Sequence, residues 1–131
     1  MRTVSLALAA ALSLAGTTAA QAEETPAPAR HCFSITDWQG WRASEADKDV
    51  LYIKVRLHDV YKVTLTDAEP FLRAPDVHLV SQTRGSTMVC NPIDLDLKLA
   101  DYHGVAEPLI VKDLKKLTPE EVAALPPGDK P

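Results

Sequence analysis

The 131-residue sequence predicts a mainly β fold: a small antiparallel barrel or sandwich of five to seven strands with a short C-terminal helix. Three observations carry that prediction. Between Val50 and Leu65, and again between Ile93 and Leu99, apolar and polar residues alternate with a period of two, as in strands with one buried face. The chain has no repeated strand–helix–strand alternation, so a parallel sheet is not expected. A helix-start signal stands in "LTPEEVAAL" at 117–125, followed by the proline-rich "PPGDKP".

The first element is an export signal. Arg2 gives a basic start, Thr3 to Gly16 is a run of small and apolar residues, and "AQA" at 20–22 is a small-x-small cleavage site. The run falls short of the roughly 20 residues that span a bilayer. The expected organisation is therefore a signal peptide at 1–22, a disordered leader at 23–31, one β-rich domain at 32–125 and a disordered tail at 126–131. This makes the mature chain exported, soluble and without a membrane span.

Within the domain, a short strand is expected through Phe33 and Ile35, and a polar turn at Asp47–Asp49. Leu51, Ile53, Val55 and Leu57 form one face of a strand, and Tyr61, Val63 and Leu65 form the same face of the next. A three-residue loop, His58 to Val60, would pair Leu57 with Tyr61 and Val55 with Val63, which keeps the two faces matched. Residues 67–76, with two prolines, read as a loop or a single helical turn. Val77–Thr83 and Ser86–Cys90 read as a second hairpin around Arg84-Gly85. Residues 93–99 form the cleanest strand, ended by the "DYHG" turn, and Leu109–Leu114 is the last strand, with Pro108 at its entrance. Thr118 is then the helix N-cap, with Pro119 first and Glu121 third in the helix, a capping box. A helix of about two turns does not stand alone, so it must dock through Leu117, Val122 and Leu125.

Charge excludes one class of partner. The chain carries 14 basic and 18 acidic residues, and removal of Arg2 with the signal makes it one unit more acidic. Nucleic-acid binders need basic patches to neutralise phosphates, and the longest basic cluster here is Lys115-Lys116. The same balance gives no reason for attraction to anionic lipid.

Cys32 and Cys90 are the two cysteines. Cys32 lies ten residues past Ala22, too far for a lipid anchor. No Cys-x-x-Cys redox site and no haem-attachment pattern is present. His31 is adjacent to Cys32 and on a strand points to the opposite face, which disfavours it as the base of a nucleophilic cysteine. Two lone cysteines and four scattered histidines lack zinc-ligand spacing. In an oxidising compartment the expectation is one disulfide, closing a loop of about 58 residues and worth about 4 kcal/mol.

Asp94 and Asp96, with Asp101 and His103 nearby, raise the question of a cation edge, against the simpler reading of a solvated strand face. Trp38 and Trp41 are the strongest binding candidates. Exposed together they would make an aromatic patch for a sugar or a hydrophobic partner. Buried, they would cap one end of the sheet, and with two phenylalanines and three tyrosines as competitors, burial is favoured. No phosphate loop, nucleophile elbow or paired catalytic carboxylate pattern is present. These readings expect a non-enzymatic module with no cofactor, metal or catalytic residue. Its partner would be an envelope protein or a small ligand.

The early "CF-x-I" (Cys32, Phe33, Ile35), the "Y-x-V-x-L" of Tyr61, Val63 and Leu65 with Leu72 after it, the mid-chain Cys90 and the closing "LTPEE" (Leu117 to Glu121) resemble a family of small proteobacterial envelope proteins. The resemblance runs from Cys32 to about Leu125. Members of that family typically carry four cysteines, and this chain lacks those expected near Glu69 and near Pro108. The joint absence implies that those two pair with each other, leaving Cys32–Cys90 as the other bridge. The family implies a periplasmic location and no particular activity, substrate or cofactor.

Overall fold

Alternation builds the largest sheet. In the computed structural model, which describes residues 31–83, 85–104 and 106–131, the strands are β1 (Phe33–Ser34), β2 (Trp38–Ala43), β3 (Val50–Val55), β4 (Asp59–Leu65), β5 (His78–Gln82), β6 (Met88–Val89), β7 (Asp96–Ala100), β8 (Ala106–Leu109) and β9 (Val111–Lys116), followed by helix α1 (Pro119–Ala124). The expected signal peptide at 1–22 and all but the last residue of the expected leader at 23–31 lie outside the described residues. Among the described residues no helix is long and apolar enough to cross a membrane.

The strands form three antiparallel sheets, none of them closed, in the orders β1-β6, β2-β3-β4-β9 and β5-β7-β8, so the mainly β antiparallel expectation holds and the closed barrel does not. Among the described residues nine strands are present rather than five to seven. Two of the nine are only two residues long, and one expected strand is divided between two sheets. All three sheets contribute to one core, in which Phe33, Leu51, Ile53, Val55, Tyr61, Val63, Val89, Leu97 and Leu99 are each at most 5% exposed. Burying side chains of this size stabilises the fold by about 1.5–3 kcal/mol each.

The first hairpin keeps the predicted face and loop length but not the predicted register. Val55 pairs with Asp59, Ile53 with Tyr61 and Leu51 with Val63, so the loop is Arg56–His58. Arg56 takes the positive φ of 53°, and Leu57 is left 73% exposed. Sliding a hairpin by an even number of residues preserves its inward face, which is why alternation alone did not select the register.

The second predicted hairpin does not form. β5 pairs with β7, and β6 pairs with β1 through Phe33 opposite Val89. Residues 92–94 leave the predicted 93–99 strand as a turn of 3-10 helix, because the Asp94 carboxylate accepts from the Cys90, Asn91 and Asn91 side-chain N–H groups. Ile93 is consequently 89% exposed. The segment from Ala106 to Lys116 serves two sheets, pairing with β7 as β8 and, beyond Ile110, with β4 as β9.

The helix follows its sequence signals. The Thr118 hydroxyl accepts from the Glu121 N–H, and the Glu121 carboxylate accepts from the Thr118 N–H. The Lys115 ammonium and the Thr118 N–H hold the Glu121 carboxyl below its ordinary pKa. The segment packs Leu117, Val122 and Leu125 onto Val50, Tyr52 and Val60, the outer face of the central sheet.

The expected disordered tail is a correction. Pro127–Asp129 forms a 3-10 turn, and Asp129 is 2% exposed. Its carboxylate accepts from the Ser44 hydroxyl at 2.9 Å and from the Glu45 N–H at 2.8 Å. Composition marked this end as frayed, but two donors more than eighty residues away tie it down.

Ser81 sits on β5 opposite core-facing Leu97, and its buried hydroxyl has no hydrogen-bond partner. An unsatisfied buried hydroxyl is destabilising. Ser81→Ala is therefore expected to leave stability unchanged or raise it by about 1 kcal/mol in a denaturant melt. A loss of similar size would show that the hydroxyl is satisfied after all.

Candidate functional site

Cys32 and Cys90 form a disulfide, with Cα atoms 4.3 Å apart, next to the Phe33–Val89 pair of the smallest sheet. Neither is free for nucleophilic or metal chemistry.

Trp38 and Trp41 are half-buried and pack against the core. Residues three apart on a regular strand face opposite ways. Here a bulge between Trp38 and Gly40 inserts one residue, so that Trp38 lies opposite Val55 and Trp41 opposite Ile53, both on the inward face. The Trp38 indole N–H donates to the Gly40 carbonyl at 2.9 Å, satisfying its polar group within the bulge. Both rings are thus half-buried against the core.

The Asp/His edge does not converge. Asp94 caps the 92–94 turn, and the Cys90 and Asn91 N–H groups hold its carboxyl below its ordinary pKa. Asp96 belongs to β7, and the four histidines are exposed at separate places. Among the described residues no group of three or more His, Cys, Asp or Glu side chains is placed to hold a metal ion.

The exposed aromatic pair is instead Phe71 and Tyr102, 62% and 74% exposed. Each is presented by a local device. The Glu69 side chain accepts from the Phe71 N–H and Pro70 starts a 3-10 turn over Pro70–Arg73, which buries Leu72 and turns Phe71 outward. Across from it, the Asp101 carboxylate accepts from the His103 N–H, and Gly104, with φ +83°, closes the turn by donating to the Asp101 carbonyl. Tyr102 rides on this turn with the His103 ring packed against it at a tilt of 38°, centroids 3.8 Å apart.

Between the two aromatics lies a groove of about 340 Å³, lined by Phe71, Val77, Leu99, Ala100 and Tyr102, with Asp76, Asp101 and Glu107 also in its wall. Glu107 shows why the groove exists. It lies opposite buried Leu99, in the same inward register as the Leu109–Leu97 pair, yet it is exposed. The core is therefore open at this end of β7, and a carboxylate stands where a closed sandwich would place an apolar side chain.

At the other end of β7 a second groove is lined by Pro92, Ile93, Leu95, Leu109, Ile110 and Val111. Its wall also includes Asn91 and Asp96, and Asp96 is already engaged elsewhere. The sequence carried little signal for either groove. Phe71 and Tyr102 fall in segments that read as loops, and only their sheer size in otherwise polar turns distinguished them. No known family model, curated protein or solved structure matches this chain.

Proposed function

We propose that this chain is an exported, non-enzymatic binding domain of a bacterial envelope, which takes a small, largely apolar ligand in the Phe71–Tyr102 groove. The observation that carries this reading is the open end of the core, where two exposed aromatic rings flank an apolar floor. Its volume lies within the range of small-ligand sites. Large exposed aromatics cost solubility and are kept where they contact something. The export reading is supported by the residue grammar at 1–22 and by the disulfide, which suits an oxidising compartment. A binding role rather than a catalytic one is supported by the use of both cysteines in the disulfide. The resemblance to small envelope proteins points the same way.

The neutral dye N-phenyl-1-naphthylamine, whose fluorescence rises in apolar sites, tests the groove. Saturable binding near one dye per chain is expected, weakened at least about tenfold by Phe71→Ala with Tyr102→Ala. Both side chains are mostly in solvent, so the double variant is expected to keep its near-ultraviolet circular dichroism apart from the tyrosine contribution. Dye binding that ignores the double substitution would overturn the assignment.

A further inference from the structure

The groove's charge narrows the ligand class, on the basis of the binding reading above. We infer that the groove selects a small organic cation: a protonated amine carried on an apolar, ring-sized body. Four observations converge on this chemistry. The floor and walls supplied by Val77, Leu99, Ala100, Phe71 and Tyr102 suit an apolar body. The charged residues of the lining are Asp76, Asp101 and Glu107, all acidic, with no lysine or arginine among them. Glu107 projects from an inward-facing register position beside Leu99, which places a negative charge at the mouth of the open core rather than on an outer face. Exposed faces of phenylalanine and tyrosine attract cations through their ring quadrupoles.

The alternatives fit less well. A carboxylate or phosphate ligand would meet like charge from the acidic lining, which holds no lysine or arginine to offset it. A neutral ligand would fill the floor but make no use of the Asp76 and Glu107 charges. A bare metal ion would need a converging set of oxygen ligands, and no such set of three is present among the described residues. The net charge of −4 also raises the local concentration of cations near the chain.

Three probes that share one frame and differ in charge decide the matter: 2-phenylethylammonium, 2-phenylethanol and 3-phenylpropionate. Each is used to displace N-phenyl-1-naphthylamine from the full exported chain, and binding is mapped by amide shifts at Leu99, Ala100 and Tyr102. The cation is expected to bind about five- to tenfold tighter than the alcohol, and the carboxylate weakest. Asp76→Asn combined with Glu107→Gln should bring the cation and the alcohol to equal affinity, read from the amide shifts. Added salt should narrow the gap between them in the unaltered chain.

Equal affinity for all three probes in the unaltered chain, or preference for the carboxylate, would overturn the cation assignment while leaving the groove as a binding site. Retention of the cation preference in the Asn/Gln variant would overturn it as well. Failure of the dye itself to bind would instead overturn the underlying site, so the two failures are distinguishable.

Discussion

Replacing Cys32 and Cys90 together by serine is expected to lower the free energy of unfolding by about 4 kcal/mol. The bridge spans 58 residues of sequence, and closing a loop of that length removes much of the unfolded chain's freedom. Its place in the fold makes the effect hard to offset. The sheet it borders is two strands of two residues each, too short to hold itself together. Phe33 and Val89, both nearly fully buried, are anchored to the core immediately beside the cysteines. Loss of the bridge should therefore loosen the start of the domain as well as the unfolded-state constraint. Thermal melts of the double variant and of the unaltered chain in excess reductant should coincide, with Tm lower by roughly 15–30 °C. Mass spectrometry of the oxidised chain should find no free thiol. A change below about 1 kcal/mol would show that the β1–β6 pair holds without its bridge.

Asp129→Ala is expected to cost about 3 kcal/mol, an unusual loss for a residue third from the C-terminus. The substitution removes the acceptor for the Ser44 hydroxyl and the Glu45 N–H. Hydrogen bonds to a charged group are worth about 1.5–3 kcal/mol each, and leaving a buried donor unpaired adds to the loss. Ser44 also accepts from the Ala46 and Asp47 N–H groups, so the carboxylate anchors the turn between β2 and β3. Asp129→Asn, which keeps one acceptor oxygen, should cost less. If Asp129→Ala melted like the unaltered chain, the tail would be a passive extension.

The same cluster has an alkaline signature. Burial, and then the negative charges of Asp129 and Asp47, push the Tyr52 phenol above its ordinary pKa. Burial likewise raises Tyr61. As pH climbs past about 10, these phenols ionise in the unfolded chain while the folded ones stay protonated. The native state then holds more protons, so stability must fall as pH rises through that window. Removing Asp129 should lower the Tyr52 ionisation midpoint and weaken its part of this dependence, which absorbance titration of the phenols follows directly.

Alternation was a sound guide to faces and a poor one to partners. The inward sets Leu51–Ile53–Val55 and Tyr61–Val63–Leu65 were readable because burial repeats every two residues along a strand. The pairing of β5 with β7 was not, because any two one-sided strands satisfy the same pattern. Leu57 and Ile93 belong to apolar runs by sequence and stand in solvent because a turn and a capped 3-10 segment interrupt those runs. For the candidate site, the tryptophans drew attention because they are rare and large. The bulge that turns both inward depends on the pairing of β2 with β3, and left Phe71 and Tyr102 as the exposed aromatic pair.

By itself the sequence determined the mainly β class, the inward faces of the longest strands and the capped helix with its docking residues, and it anticipated the Cys32–Cys90 bridge. These follow from local periodicity, local capping chemistry and the small number of cysteines. Only the tertiary structure decided which strands share a sheet, that Asp129 is a buried anchor, and that the core opens beside Glu107 into an acidic aromatic groove. Each of those features is made by residues far apart in the chain, whose meeting depends on register and sheet order, and neither quantity is encoded in any short stretch of sequence.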